Sequence, residues 1–276
     1  MADLTLVSKH IPSPADHPPE GQRRFKLIVE YDGTGYCGWQ RQINGPSVQQ
    51  ELEEALSRLT HERVSVVGSS RTDSGVHALG LCAHFDSATH IPPDKLAFAL
   101  NTMLPPDIRI RESGAAPEGF HARFSACGKV YQYTFDNERH ACAIGRQYSA
   151  HVPVPLDERL MHEEAEALLG THDFAAFAAS GSVVKSTVRT IHRVKVERVG
   201  SRVTLSVLGD GFLYNMVRII AGTLMEVGTG KRERGAIARA IETGDRLALG
   251  QTAPAQGLTL LRVLYLGDEE KALSFF

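Results

Sequence analysis

Arg24-Phe-Lys-Leu-Ile-Val-Glu-Tyr31 and Lys129-Val-Tyr-Gln-Tyr-Thr-Phe135 each read as a strand, and each opens a run of elements in the same order. In the first stretch Phe25, Leu27, Val29 and Tyr31 fall on one side; in the second Tyr131, Tyr133 and Phe135 do, the period-2 pattern of a half-buried strand. Beyond Tyr31 comes a Gly-rich loop, Asp32-Gly-Thr-Gly-Tyr-Cys-Gly-Trp39. Ser47-Val-Gln-Gln50 then starts a helix as a capping box, with Val48, Leu52, Ala55, Leu56 and Leu59 at helical spacing. Strands are predicted over Arg63–Gly68 and Leu79–Phe85, flanking the loop Ser69–His77. A helix over Asp94–Leu104 and a short strand over Asp107–Arg111 complete the order β-α-β-β-α-β.

The second half repeats it. A helix over Leu156–Leu169 stops at Gly170. Strands over Val188–Val199 and Arg202–Leu208 join at Gly200-Ser201. Helices over Asn215–Val227 and Glu233–Thr243 precede a strand over Leu258–Leu266. Two successive split β-α-β units predict an α+β protein with duplicated ferredoxin-like halves. Packed edge to edge they would form one extended, mostly antiparallel sheet, with helices on one face and a cleft across the other. The expected organisation is a flexible leader over 1–22, rich in proline (Pro12, Pro14, Pro18, Pro19), domains over 23–117 and 118–268, and a short tail over 269–276.

The 276 residues are 42% apolar and 22% charged, which excludes wholesale disorder. No run approaches the ~20 apolar residues of a membrane helix, and Met-Ala-Asp-Leu lacks the basic start of a secretory signal. Four scattered cysteines (Cys37, Cys82, Cys127, Cys142) form no C-x-x-C pair, which predicts reduced thiols in a cytoplasmic protein and no metal site. The net charge of −2 names no partner, but it hides an asymmetry. Lys185–Arg234 holds ten Lys or Arg against four carboxylates, a surplus able to attract phosphates if the residues share a face. Simple alternation over the strand Val188–Val199 puts Arg189, Arg193 and Lys195 on one side, as a phosphate track.

The densest chemical signal is Ser70-Arg-Thr-Asp-Ser-Gly-Val-His77. An Asp in such a turn commonly does no more than satisfy backbone N–H groups. Its company points further: Arg71 is two residues away, and Trp39, Gln40 and Arg41 close another loop of the same half. Glu30-Tyr-Asp-Gly-Thr-Gly-Tyr-Cys-Gly-Trp-Gln40, Arg71-Thr-Asp-Ser-Gly-Val-His77, Phe120-His-Ala-Arg-Phe-Ser125 and Asn215-Met-Val-Arg218, in that order, resemble the tRNA pseudouridine synthase A family. The resemblance runs from about Arg24 to Leu266.

The resemblance implies isomerisation of uridine to pseudouridine at positions 38, 39 and 40 of the tRNA anticodon stem-loop, without a cofactor, by a homodimer with a basic cleft. It places the catalytic aspartate on Asp73, the substrate-contacting tyrosine on Tyr131 and the active-site arginine on Arg218. Ser70 and Ser74 stand where the family usually has Gly and Ala. The chemistry suits these residue types. The reaction breaks C1′–N1, turns the base and rejoins it through C5, and a carboxylate serves as nucleophile or base only when ionised. An arginine within ~4–6 Å holds a carboxyl in that state, a part Arg218 would take. A stacked base must first be flipped out; Tyr131 would stack on it, and Arg71 would fill the gap or grip a phosphate. The blander readings are a core aromatic for Tyr131, a surface or phosphate-binding residue for Arg218, a turn-stabilising cation for Arg71, a packing anchor for Trp39, and structural or RNA-contacting rings for His77 and His121. A non-catalytic RNA-binding module would carry RNP-type aromatic strips, and a small-molecule enzyme a phosphate-cradling or dinucleotide-binding glycine loop; neither is read here.

Overall fold

The computed structural model describes residues 4, 6–8, 10–13, 16–179 and 184–276; Asp3, Lys9 and Pro14 of the leader lie outside them. The chain divides into two compact units. The first comprises Leu6–Cys127 with Leu260–Gly267, and the second Gly128–Thr259 with Asp268–Phe276. No helix is long and apolar enough to cross a membrane among the described residues.

The first unit contains β1 (Arg23–Tyr31), α1 (Val48–Thr60), β2 (Val67–Gly68), β3 (His77–Ser87), α2 (Leu96–Asn101) and β4 (Ile108–Ala115). Strand β1 lies between β4 and β3, antiparallel to both, and β2 pairs with β3. The alternation read in β1 is the burial pattern found: Phe25, Leu27 and Val29 are fully buried. Ser47 caps α1 by accepting from Gln50 N at 3.4 Å, and Val48, Leu52, Ala55 and Leu56 are its buried stripe. The other half of the capping box is absent, because the Gln50 side chain turns outward to Glu54.

The strand expected over Arg63–Gly68 shrinks to Val67–Gly68. Glu53 Oε1 accepts from Val66 N (3.1 Å), and Gln49 Nε2 donates to Val66 O (2.9 Å), so helix side chains hold the backbone groups a ladder would use. The helix over Asp94–Leu104 is likewise shorter. A 3₁₀ turn over Pro93–Lys95 leads in, and Met103 and Leu104 both donate back to Leu100 O just before Pro105.

The second unit contains β5 (Gly128–Asp136), β6 (Ala150–His151), α3 (Glu158–Ala165), β7 (Gly170–Asp173), β8 (Val188–Val199), β9 (Arg202–Gly209), α4 (Met216–Gly228), α5 (Ala236–Thr243) and, at the C-terminus, α6 (Glu269–Leu273). Strand β10 (Leu258–Leu264) is divided between the units, with Leu258 and Thr259 counted here and the rest in the first. The order β10-β5-β9-β8-β7 again places the unit's first strand between the last two strands in chain order, as β1 lies between β3 and β4. That is the first unit's arrangement over again, and the α+β, mostly antiparallel, duplicated fold expected from the element order is the fold found. The N-cap residue of α5, Gly235, offers no side chain, and the helix is capped instead by the Glu164 carboxylate of α3, which accepts from Gly235 N (2.7 Å) and Ile237 N (2.8 Å).

The phosphate track needs a correction. Register slips between Ile191 and Arg193: Ile191 pairs with Gly209, whereas Arg193 pairs with Leu208 and Lys195 with Ser206. This bulge reverses the alternation, so Arg193 and Lys195 share a face and Arg189 has the opposite parity. Arg189 instead donates to Ser186 O and Val188 O, and Lys195 pairs with Glu197 at 2.9 Å.

Candidate active site

Asp73 sits on the loop that leads into β3, half-exposed, on a turn closed by Val76 N donating to Asp73 O at 3.1 Å. Gly75 supplies the turn's positive φ of +77°. The loop is gripped by the Gly-rich segment that follows β1. Trp39 N donates to Thr72 O (3.2 Å), Gly75 N and Ser74 Oγ both donate to Tyr36 O (3.3 and 3.2 Å), and Tyr31 Oη meets Thr72 Oγ1 at 2.7 Å. Two glycines make the grip possible. A Cβ on Gly33 would overlap the Val76 carbonyl; one on Gly38, at φ +91°, would overlap Thr72 O and come within 3.1 Å of the Asp73 carbonyl carbon.

The gripping segment is itself fixed. Asp32 Oδ1 accepts from Thr34 N (2.9 Å) and Thr34 Oγ1 (2.6 Å), and Tyr36 Oη donates to Asp107 Oδ1 (2.7 Å). Burial, then that hydrogen bond, pushes the Tyr36 phenol well above its ordinary pKa, so Tyr36 stays a neutral donor. Trp39 is 2% exposed, close against Gly68 and 6.1 Å from the Tyr31 ring, the packing anchor of the bland reading. His77 is buried and accepts from Gly33 N through Nδ1 at 3.0 Å, a structural part.

Arg71 is exposed on the same loop. Its charge reaches Arg123, whose pKa is pressed below the usual arginine value by burial first and by Arg71 second. Arg123 belongs to the turn Phe120–Ser125, where His121 Nδ1 accepts from both Arg123 N and Phe124 N at 3.1 Å. That fixes the tautomer of His121, and burial lowers its pKa further, so it is a neutral bracket for the turn.

Tyr131 and Arg218 belong to the second unit. Tyr131 lies on β5 opposite Val207, 8% exposed, with the Phe212 ring edge-on at 5.2 Å. Tyr133, two residues on, is the core aromatic: fully buried, its Oη donates to Pro254 O at 2.8 Å. Arg218 stands in the first turn of α4 with its guanidinium held at two points. Nε donates to Ala253 O and Nη1 to Asn215 Oδ1, each at 2.8 Å. Asn215 takes up the left-handed conformation (φ 60°) at the helix start, where its side chain caps nothing and braces the arginine. The structure thus brings Asp73 and Arg71 onto one loop and prepares Tyr131 and Arg218 as rigid side chains of the other unit.

A family model described as tRNA pseudouridine synthase matches residues 27–125 and 165–266. The chain belongs to the tRNA pseudouridine synthase family. Among curated relatives, the protein of Acetivibrio thermocellus named tRNA pseudouridine synthase A is 51% identical over 243 residues, spanning 88% of this chain and all of the relative. Those of Ruminiclostridium cellulolyticum and Bacillus licheniformis, with the same name, are 49% and 48% identical over 244 residues, covering 100% and 99% of their own lengths. As a tRNA pseudouridine synthase the protein is an isomerase acting on tRNA.

Membership also disposes of a coincidence that sequence reading overlooked. Gly33-Thr-Gly-Tyr-Cys-Gly38 fits the letters of the dinucleotide fingerprint G-x-G-x-x-G. In this synthase Gly33 and Gly38 admit the neighbouring loop rather than a pyrophosphate, and α1 begins only at Val48. What sequence reading missed is this grip, together with Phe212, Arg123 and the Asn215 brace. A pair of glycines in one loop facing a motif elsewhere carries no local signal of contact.

Proposed function

We propose that this synthase converts uridine to pseudouridine at positions 38, 39 and 40 of the tRNA anticodon stem-loop, with Asp73 as the reacting carboxylate and no cofactor. The observation that carries the reading is the double-glycine grip, which fixes the backbone on both sides of Asp73 while leaving its side chain half-exposed. Reaction at a sugar carbon demands a carboxylate placed to within a fraction of an ångström. In this reading the target nucleotide is everted, Tyr131 stacks on its uracil, and Arg218 supplies the positive charge that keeps the reacting carboxylate ionised. Arg71 meets the RNA backbone or the gap in the stack. The protein works as a cytoplasmic homodimer.

The test is to incubate unmodified anticodon-arm transcripts carrying U at positions 38 to 40 with wild type and with Asp73→Asn, without metal or cofactor, and to map pseudouridine. Wild type converts these positions and Asp73→Asn converts none. RNA affinity stays within a few-fold, because phosphate contacts supply most of the binding. Equal conversion by the two proteins rejects Asp73 as the reacting group.

A further inference from the structure

Arg218, Gly222 and Glu226 stand at i, i+4 and i+8 of α4 and so share one face of the helix. Residues 250–257, which lead into β10, run along that face in the reverse direction. At one end Gly250 N donates to Thr223 Oγ1 (2.9 Å) and Gln251 N to Glu226 Oε1 (3.0 Å). In the middle a Cβ on Gly222 would overlap Gln251 O, so the segment rests directly on the helix backbone. At the other end Ala253 holds Arg218 twice. Ala253 N donates to Arg218 O (3.0 Å), and Ala253 O accepts from Arg218 Nε (2.8 Å).

The next carbonyl serves β5. Pro254 O accepts from Tyr133 Oη (2.8 Å), and a Cβ on Gly257 would lie 2.5 Å from Cζ of the same ring. Tyr133 is fully buried, and burial raises its pKa, so the phenol stays protonated and donating. Tyr131 is two residues away, on the same face of β5. Consecutive carbonyls of one segment thus take one bond from Arg218 and one from the strand that carries Tyr131. The segment is also secured from behind. Glu226 Oε2 pairs with Arg232 Nε at 2.8 Å, and Arg232 Nη1 donates to Ala248 O (2.9 Å), just ahead of residue 250. Carbonyls engaged in this way are costly to leave unpaired, so Arg218 and Tyr133 do not shift independently.

We infer that Gly222, Glu226 and Tyr133 are positioning residues of the reaction, seating residues 250–257 so that this segment fixes Arg218 and the strand of Tyr131 in one mutual arrangement. The inference rests on the roles proposed for Arg218 and Tyr131 above. The three residues act through Arg218 and β5 rather than on the RNA.

The test follows single-turnover conversion of an anticodon-arm transcript from about pH 4 to 8, with Kd for the same RNA measured in parallel. The proteins are wild type, Gly222→Ala, Tyr133→Phe, Arg218→Ala and Gly222→Ala combined with Arg218→Ala. Gly222→Ala displaces the backbone at Gln251 and should slow the step on the order of 10²-fold. Tyr133→Phe removes only the bond to Pro254 O and should slow it about tenfold. Kd should stay within about threefold in both, because phosphate contacts supply most of the binding. Loosening Arg218 withdraws positive charge from the reacting carboxylate and raises its pKa. The acidic limb of the rate profile should therefore move to higher pH, by about 0.5–1 unit in Gly222→Ala and by less in Tyr133→Phe. In the Arg218→Ala background Gly222→Ala should move the limb no further. Gly228→Ala, on the same helix but against the flexible Met161 side chain, should match wild type, and a limb that moves there too overturns the inference. If Arg218→Ala moves the limb while Gly222→Ala and Tyr133→Phe keep the wild-type rate and limb, the inference falls and the role of Arg218 stands. A slower step with an unmoved limb is a structural effect alone and overturns it as well. An unmoved limb in Arg218→Ala itself refutes the role proposed for Arg218 and takes the inference with it. Should Gly222→Ala fail to fold, Tyr133→Phe decides in the same way.

Discussion

Replacing Gly38 by alanine should separate the position of Asp73 from everything else the protein does. The new Cβ would overlap Thr72 O and lie 3.1 Å from the Asp73 carbonyl carbon and 3.2 Å from Ser74 N, all backbone atoms with no flexible end to yield. Restoring ordinary contact displaces the loop by on the order of 1 Å, and a misplacement of that size costs about 10²-fold in rate. The φ of +91° adds about 1–2 kcal/mol of backbone strain for a residue with a Cβ. For a chain of this size that lowers Tm by roughly 2–8 °C, well short of unfolding it. Gly35→Ala is the internal control: it lies in the same segment, but its Cβ meets nothing within 4 Å. Single-turnover conversion of an anticodon-arm transcript, with Kd measured in parallel, should give about a 10²-fold slower step for Gly38→Ala, Kd within threefold, and wild-type behaviour for Gly35→Ala. A Gly38→Ala protein that isomerises at the wild-type rate would refute the claim that the grip positions the reacting carboxylate.

Two further outcomes follow from the charge environment. Burial, and secondarily Arg24 and His121, lowers the His84 pKa from 6.5 to about 4, with Asp86 and Asp16 opposing. The unfolded chain then binds more protons than the folded one between these values, so stability is complete above about pH 6.5 and falls as pH drops towards 4. Melting temperature measured from pH 7.5 to 5 should decline in wild type and decline less in His84→Gln; identical profiles would remove His84 from the account. Arg218→Lys cannot keep both the Ala253 carbonyl and Asn215 Oδ1, because a lysine ammonium lacks the planar fork. It should lose about 1–3 kcal/mol in urea denaturation and at least ~10-fold in single-turnover rate, and full activity in the lysine variant would contradict the bracing of Arg218.

Much of the fold was legible because its decisive patterns are local. Val188–Val199 is bounded in the structure as it was in the sequence, and the stripe Val217, Ile220, Leu224, Val227 is buried in α4, although Met216, Ile219, Ala221 and Thr223 are buried with it, so the helix is enclosed on more than one face. What failed was decided at a distance. The backbone of Val66 is occupied by Glu53 and Gln49, so a sound β pattern yields no ladder. Gly-Thr-His-Asp over 170–173 has no apolar alternation, yet it pairs with β8 as β7. The bulge before Arg193 is invisible to a period-2 count, which put Arg189 on the wrong side. The site divides the same way. The residue types of Arg71, Asp73, Tyr131 and Arg218 stood out by motif, whereas the close backbone approach at Gly33 and Gly38 exists only once the chain has folded.

Trp39 is the chain's single tryptophan, and it lies shielded between Gly68 and Tyr31 at the foot of the segment that grips Asp73. The molecule thus carries its one indole at the segment that holds the Asp73 loop. Indole emission excited apart from the tyrosines reports this loop without any label: a blue-shifted band marks the closed grip, and a red shift marks water reaching the ring. Loosening of the loop by substitution, by acid or by arriving RNA can be followed in real time on unmodified protein.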